Sequence, residues 1–174
     1  GDPAQIRARL DASLARLGTD YIDHYQLHRP DPETPAAETL GCLSELRAEG
    51  KIREIGCTHF SAADLLDSHA AATAEGVAMY PSVQNYYSLL TRDPETNGVF
   101  DVCADLGIGF VPYFPLESGL LTGKYKREAM PEGARLTTTP QFAGRDYMND
   151  TNWAKVEKLT AFAEERGYGF GLGS

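Results

Sequence analysis

Four short stretches rich in β-forming residues each end in polar or aromatic residues whose side chains could bind a ligand. These residues are His28, the pair Thr58-His59, the pair Gln84-Asn85 and the pair Tyr113-Phe114. Ligands bind at the carboxyl ends of the strands in parallel α/β folds, so we expect the residues to converge on one rim. Hydroxyl, imidazole and amide groups can hydrogen-bond a substrate or cofactor, and an aromatic ring can stack on one. The alternative is a structural sheet whose strands end in polar residues by chance.

His28 is the candidate for a direct part in a reaction. A histidine at a strand end can donate a hydrogen bond to a reacting oxygen or accept one, and its charge is adjustable near neutral pH. Taken alone, a hydrogen-bonded structural histidine is the more common interpretation. A catalytic role for His28 is therefore supported only by the other residues expected on the same rim.

A glycine-rich stretch follows the last of the four β-forming segments. Gly119-Leu-Leu-Thr-Gly123-Lys124 is one residue shorter than a P-loop, and Tyr125 stands where Ser or Thr should bind magnesium. We therefore exclude a P-loop nucleoside triphosphatase. The G-x-G-x-x-G fingerprint of dinucleotide-binding open sheets is absent as well. Backbone N–H groups and Lys124 could still bind a phosphate, and Arg135 could bind another. A solvated loop is the alternative.

The elements that must position these residues repeat along the chain. The predicted strands are Tyr21–Leu27, Ile52–Cys57, Ser82–Asn85 and Gly109–Phe114. Their starts lie about 30 residues apart, the length of one strand–helix unit. Strands alternating with helices at this period predict a parallel sheet, in either a doubly wound fold or a (β/α)₈ barrel. A full barrel needs about 250 residues, so this chain would hold about half of one, as a single domain over residues 1–174.

Helices between the strands are predicted from apolar residues at helical spacing. Gly18, Gly50 and Gly107 stand where three of them should end, and Ser61-Ala-Ala-Asp64 is a capping-box pattern that should begin another. The predicted apolar faces consist of Ile6, Leu10, Leu14 and Leu17; Leu40, Leu43 and Leu46; Val99, Phe100, Cys103 and Leu106; and Trp153, Val156, Leu159 and Phe162.

Composition narrows the classes of partner. The 174 residues include 16 Lys+Arg against 25 Asp+Glu, for a net charge of −9. An acidic surface repels phosphate backbones, so we expect no nucleic-acid partner, and no basic cluster or long apolar run predicts membrane binding. The three cysteines are widely spaced, which favours reduced thiols over a disulfide framework or a metal site. The first residues do not have the pattern of a signal peptide. We expect a cytoplasmic protein.

Four segments, in order, resemble segments of the aldo-keto reductase family. LDASLARLGTDYIDHYQLHRPDP resembles the segment that ends in the family's active-site histidine, and KIREIGCTHFS resembles its G-x-S-N-F segment. SVQNYYSLLTR resembles its glutamine-bearing segment. VPYFPLESGLLTGKY, continued by PEGARL, resembles its seventh strand and cofactor loop. The resemblance covers about residues 6–168. It implies a partial (β/α)₈ TIM barrel, with the chain supplying strands four to seven.

The resemblance implies NADPH-dependent reduction of aldehydes or ketones to alcohols, with NADP(H) as cofactor and a small carbonyl compound as substrate. His28 matches the histidine that orients and polarises the carbonyl group. Thr58, His59 and Gln84 match positions that hold the nicotinamide carboxamide, although His59 replaces the usual asparagine. Tyr113 matches the ring that stacks under the nicotinamide.

The cofactor loop is matched residue by residue in the same way. Phe114, Pro115, Leu116, Ser118 and Gly119 match the loop along the pyrophosphate, although Phe114 replaces a frequent serine. The basic positions near the cofactor's phosphates are matched by Lys124 and Arg135.

The family's catalytic tyrosine, lysine and aspartate match no residue of this chain, because they belong to earlier strands. We therefore expect the 174-residue chain to be inactive alone and to self-associate through open barrel edges. The alternative is a non-catalytic nicotinamide-nucleotide-binding or regulatory module of the same fold, and an upstream tyrosine and lysine would discriminate the two. The order of the four segments argues against an unrelated barrel fragment that binds no cofactor.

Overall fold

The structure, a computed structural model, describes residues 1–127, 133, 136 and 148–168. The chain forms two compact units. The first unit contains Gly1–Tyr86 and Asp93–Pro112. The second contains Tyr87–Arg92 and the residues from Tyr113 onward.

Helices and strands alternate along the chain. The strands are β1 (Ile22–Leu27), β2 (Ile52–Thr58), β3 (Ser82–Tyr86) and β4 (Gly109–Tyr113). The helices are α1 (Pro3–Leu17), α2 (Ala36–Ala48), α3 (Ala62–Glu75), α4 (Val99–Leu106) and α5 (Asp150–Glu165). The described part of the chain also contains two 3₁₀ segments, at Asp93–Glu95 and Glu117–Thr122. Each predicted strand agrees with an observed one to within one residue at either end.

The four strands form one sheet in the order β1-β2-β3-β4. β1 pairs in parallel with β2, with Leu27 opposite Cys57. β2 pairs in parallel with β3, with Thr58 opposite Gln84. The predicted sequential order of neighbouring strands is therefore confirmed, and so is the α/β class with helices between parallel strands.

Leucine side chains of the helices form the centre of the first unit's core. Leu40, Leu43 and Leu46 of α2 are fully buried, in one cluster with Ile55 of β2 and Val83 of β3. Removing side chains of this size from water typically contributes about 1.5–3 kcal/mol each. The helix-spaced leucines predicted for α2 thus hold that helix against the sheet.

The apolar face predicted for α1 is correct for three residues and wrong for the fourth. Ile6, Leu10 and Leu14 are buried, but Leu17, the last residue of α1, is 66% exposed. Helical periodicity identifies a face and carries no information about which turn of that face has a neighbour. The same correction applies to Phe162 of α5, which is 52% exposed and lies under the guanidinium of Arg166.

Local hydrogen bonds explain where the helices begin and end. The Ser61 hydroxyl accepts from the Asp64 N–H while the Asp64 carboxylate accepts from the Ser61 N–H, so the predicted capping box is confirmed. Gly18 and Gly107 adopt left-handed φ of 67° and donate to carbonyls of the preceding turn. A residue without a β-carbon adopts this conformation at no steric cost.

Thiol chemistry gives a direct test of the first unit's packing. Cys42, Cys57 and Cys103 are free and buried, and burial raises the pKa of all three thiols. Because the thiolate is the reactive form, we expect no reaction with Ellman's reagent in native buffer at pH 8 and release of three equivalents after unfolding in guanidinium. Stoichiometric labelling of the native protein would contradict the packing.

No helix in the described part of the chain is both long and apolar enough to cross a membrane.

Candidate functional site

The side chains at the carboxyl ends of β2 and β3 alternate between two faces of the sheet. Cys57 and Val83 belong to the core under the helices. Because neighbouring residues of a strand point to opposite faces, Thr58 and Gln84 lie on the face away from the helices. Their positions are opposite each other in the parallel register. The sheet thus brings these two predicted cofactor residues side by side.

A hydrogen bond fixes the Thr58 side chain. Its hydroxyl donates to the main-chain carbonyl of Gln84 at 2.5 Å, and Thr58 is buried. A hydroxyl has one proton and two lone pairs, so Thr58 in this rotamer can only accept a hydrogen bond from a ligand. The side-chain amide of Gln84 has no hydrogen-bond partner among the residues that the structure describes. Together the two groups offer an acceptor and an amide, which complement a carboxamide.

His59 occupies a backbone conformation that few residue types adopt. Its φ is 62°, in the left-handed region, and its N–H donates to the Gln84 carbonyl at 3.2 Å. Asn, Asp and His are the non-glycine residues enriched in this region. Histidine and asparagine thus both suit the left-handed backbone at this position.

Two of the four imidazoles of the first unit, those of His28 and His59, lie against each other. His28 directly follows β1, and its ring centroid is 5.6 Å from that of His59, with the planes at 68°. The pKa of His59 is lowered, first by partial burial and then by the positive charge of Arg29 and the neighbouring His28. His59 is thus neutral at pH 7, with one nitrogen able to donate and the other able to accept.

The lowered pKa of His59 predicts a pH dependence of stability. Below the ordinary pKa of 6.5 the unfolded chain takes up the proton before the folded protein does. The contribution of neutral His59 to the free energy of unfolding is therefore fully present above that pH and is lost as the pH falls below it. We expect thermal unfolding curves of His59→Asn to decline less between pH 7 and 5 than those of the wild type. His69→Asn, which replaces an exposed histidine of α3, is the matched control and should leave the decline unchanged.

A cross-strand layer lies below this rim on the same face of the sheet. The His24 ring of β1 lies over Gly56 of β2 and reaches the Ser82 hydroxyl of β3 at 3.2 Å. A β-carbon at position 56 would lie 2.5 Å from His24 Nε2. A side chain at position 56 would therefore displace the exposed His24 imidazole, and the layer joins the three strands that carry the rim.

The loop that follows β4 belongs to the second unit and has an unusual backbone. Phe114, Glu117 and Ser118 have positive φ of 52°, 49° and 55°, and Gly119 has φ of 101°. Non-glycine residues in this region typically cost about 1–3 kcal/mol each, and such strain clusters at ligand sites. Left-handed turns also direct backbone N–H groups into anion-binding concavities. In this loop the Glu117 and Gly119 N–H groups already donate to the Phe114 and Leu116 carbonyls, at 2.9 Å and 2.8 Å, so a phosphate would depend on the side chains.

Four side chains of this loop were predicted to contact the cofactor phosphates. The Ser118 hydroxyl is buried and has no hydrogen-bond partner in the described part of the chain. Pro115 and Leu116 are exposed. Lys124 is exposed and lies over Gly119, where a β-carbon would come within 2.8 Å of its Cε. The loop thus holds an uncommitted hydroxyl and an ammonium group.

Tyr113, the predicted stacking ring, is the last residue of β4 and belongs to the second unit. Its ring centroid is 5.3 Å from that of Phe114, edge to face. Its carbonyl accepts from the Tyr87 N–H at 3.4 Å. Arg135, the other predicted phosphate ligand, lies outside the described residues.

Sequence reasoning missed one buried polar cluster in the second unit. Glu117 is 1% exposed and accepts hydrogen bonds from the hydroxyls of Ser88 and Thr91. Nothing in the one-dimensional pattern distinguishes Glu117 from a solvated glutamate in a polar loop. Within the described ranges, no group of three or more His, Cys, Asp or Glu residues is arranged to hold a metal ion.

Several known proteins are similar to this chain over most of its length. A 42% identical relative, the NADH-specific methylglyoxal reductase of Escherichia coli, matches over 136 residues, 76% of this chain and 40% of its own. A putative voltage-gated potassium channel subunit beta of Schizosaccharomyces pombe is 35% identical over 91% of this chain and 46% of its own. The glycerol dehydrogenase structure from Gluconobacter oxydans superposes with a TM-score of 0.76 at 29% identity, covering 97% of this chain and 49% of that one. The chain thus spans less than half the length of these curated relatives. The model of the aldo/keto reductase family matches residues 1–171, and the chain belongs to that family.

Proposed function

We propose that the complete protein carrying this chain is an NADPH-dependent oxidoreductase that reduces small aldehydes or ketones to alcohols. The observation that carries the proposal is the cluster of His28, Thr58, His59 and Gln84 at the carboxyl end of one sheet, in a chain of the aldo/keto reductase family. Imidazole, hydroxyl and amide groups at this edge suit a carbonyl substrate beside a carboxamide.

The residues present fit a nicotinamide nucleotide. The Thr58 hydroxyl offers lone pairs, the Gln84 amide is uncommitted among the described residues, and the Ser118 hydroxyl is buried without a partner there. Thr58, His59 and Gln84 would hold the carboxamide, and Tyr113 would stack on the ring. The loop residues Phe114, Pro115, Leu116, Ser118 and Gly119, with Lys124 and Arg135, would hold the phosphates.

The bound nucleotide supplies hydride to the carbonyl carbon, and the protein supplies geometry and electrostatics. The His28 imidazole donates a hydrogen bond to the substrate oxygen and polarises the carbonyl bond. His59, neutral at pH 7, packs its ring against His28 and restricts that imidazole. The proton donor and the groups that set its pKa belong to segments outside this chain in our proposal.

The preference for NADPH over NADH rests on Arg135, which follows the glycine-rich loop. A guanidinium bound to the additional phosphate forms a charge-assisted, bidentate contact. The name of the Escherichia coli relative points to the other nucleotide. Fluorescence titrations of the complete protein with NADPH and NADH test the proposal. We expect tighter binding of NADPH, with the difference lost in Arg135→Ala. Equal affinities in the wild type would remove the assignment.

A non-catalytic nucleotide-sensing subunit is the second candidate. It is favoured by the name of the Schizosaccharomyces pombe relative, a channel subunit. The two candidates differ in turnover: an enzyme consumes NADPH with a reactive aldehyde, whereas a sensor binds the nucleotide and leaves it unchanged. Sequencing the segment upstream of residue 1 for the family's tyrosine and lysine gives an independent answer.

We also propose that the 174-residue chain self-associates and that the protein is cytoplasmic. In the first unit β1 and β4 are the outer strands of the sheet, and outer strands present unpaired N–H and C=O groups to other chains. Gel filtration at several concentrations tests the association, since a monomer at all of them would contradict it. Three free, buried thiols support a reducing compartment.

A further inference from the structure

The second unit contains a buried carboxyl group that the proposed chemistry does not use. Glu117 is 1% exposed and is the first residue of the 3₁₀ segment Glu117–Thr122, in the loop that follows β4. The Thr91 hydroxyl donates to its Oε1 at 2.9 Å, and the Ser88 hydroxyl donates to the same oxygen. Burying a carboxyl group is costly unless it is hydrogen-bonded. Glu117 therefore depends on the turn that carries these two hydroxyls.

That turn is closed by the same hydroxyl that binds Glu117. Ser88 Oγ accepts from the N–H groups of Leu90 and Thr91 at 3.0 Å and 2.9 Å, and the Ser88 N–H donates to the Thr91 carbonyl at 2.9 Å. The Ser88 hydroxyl has one proton, which it gives to Glu117, and its lone pairs serve the two amides. The turn and the carboxyl group form one connected network, in which the loss of one member weakens the rest.

The backbone at Glu117 carries the strain of the cofactor loop. Glu117 and Ser118 both have left-handed φ, and the next residue is Gly119 with φ of 101°. Such conformations persist only where surrounding contacts over-determine them. The side chain of Glu117 ties this run of residues to the Ser88–Thr91 turn of the second unit, whereas the preceding Pro115 and Leu116 are exposed.

We propose that Glu117 is a positioning residue for the phosphate-binding loop. It fastens residues 117–119 to the Ser88–Thr91 turn and so holds Ser118, whose hydroxyl would face the cofactor pyrophosphate. The inference rests on the proposed nicotinamide-nucleotide function. Glu117 itself touches neither cofactor nor substrate in this proposal. It acts on cofactor affinity and leaves the chemistry at saturating cofactor intact.

The test compares four variants in the complete protein. Glu117→Ala removes the carboxyl group, Glu117→Gln keeps its shape and one acceptor oxygen, and Ser88→Ala removes a donor from the turn. Thr160→Val is the matched control, since it removes another hydroxyl of the second unit, the one that bonds the Val156 carbonyl within α5. For each we would measure the Kd for NADPH and for NADH, kcat at saturating cofactor, and amide hydrogen exchange at Leu90 and Thr91.

We expect Glu117→Ala and Ser88→Ala each to raise the Kd of the better-bound nucleotide about tenfold, the scale of one lost hydrogen bond to a charged group. Glu117→Gln should recover most of that affinity, and Thr160→Val should match the wild type. The kcat value should change less than twofold. Exchange at Leu90 and Thr91 should accelerate in Glu117→Ala with or without nucleotide, because the turn has lost its partner.

Three outcomes would overturn the inference. Unchanged Kd values in a folded Glu117→Ala protein that consumes NADPH would leave the proposed function standing and remove the positioning role. Equal losses of affinity and kcat, with no recovery in Glu117→Gln, would show a general structural defect. If the wild type binds neither nucleotide, the proposed function fails and the positioning role fails with it. That conclusion holds even if amide exchange at Leu90 and Thr91 shows that Glu117 stabilises the turn. Should Glu117→Ala not fold, Glu117→Gln and Ser88→Ala still decide the outcome through the same Kd comparison.

Discussion

The purified 174-residue chain is expected to leave NADPH unconsumed in the presence of 4-nitrobenzaldehyde, whereas the complete protein is expected to oxidise it. The proton donor and its pKa-setting partners match no residue of this chain, and positioned general acid–base catalysis typically contributes about 10²–10⁴-fold. In the complete protein, His28→Ala should lower kcat by a factor within the same range, because the substrate oxygen loses a hydrogen-bond donor. The absorbance of NADPH gives both rates.

His69→Ala is the matched control for that measurement, since His69 is an exposed histidine of α3. It should leave the rate of the complete protein unchanged. Consumption of NADPH by a monomer of the 174-residue chain, abolished by His28→Ala, would show that the donor lies within the chain. The first residues to mutate would then be Tyr25, Tyr86 and Tyr87.

Gly119→Ala is expected to cost stability and cofactor affinity together. An alanine at φ of 101° is strained, typically by about 1–3 kcal/mol, and its β-carbon would lie 2.8 Å from Lys124 Cε and 3.0 Å from its Nζ. Moving the ammonium group away from the loop should weaken binding of NADPH about tenfold. Thermal unfolding and fluorescence titration of the complete protein measure the two effects.

Gly107→Ala separates the backbone strain from the contact with Lys124. Gly107 also has a positive φ, of 67°, but an added β-carbon there meets no atom within 4 Å. This control should lose stability and keep its affinity for NADPH. If both variants bind NADPH as well as the wild type does, Lys124 has no part in phosphate binding.

Much of the first unit could be predicted from residue spacing. The strands follow from short β-forming runs between helix stops, and the Ser61–Asp64 capping box is a purely local pattern. The close placement of Thr58 and Gln84 follows from parallel pairing of strands about 30 residues apart. Local sequence patterns thus predict the strands and the start of α3 correctly.

Features that depend on contacts between distant segments could not be predicted. The burial of Glu117 depends on hydroxyls 26 and 29 residues away. His59, Phe114 and Ser118 have left-handed φ although none of them is glycine, the residue type from which this conformation is normally predicted. The exposure of Leu17 reflects the absence of a neighbour at one helix turn, which periodicity does not report.

The cross-strand layer under the rim also restricts how this chain can change over evolutionary time. The His24 imidazole occupies the volume that a side chain at position 56 would need, because a β-carbon there would lie 2.5 Å from His24 Nε2. The same nitrogen is hydrogen-bonded to the Ser82 hydroxyl. The two positions share one space, so their substitutions are coupled. A smaller residue at 24 opens room that an alanine or serine at 56 can fill, whereas a side chain at 56 beside histidine at 24 must turn the exposed imidazole away from Ser82. Substitution at 24 before 56 is therefore the order that avoids this loss.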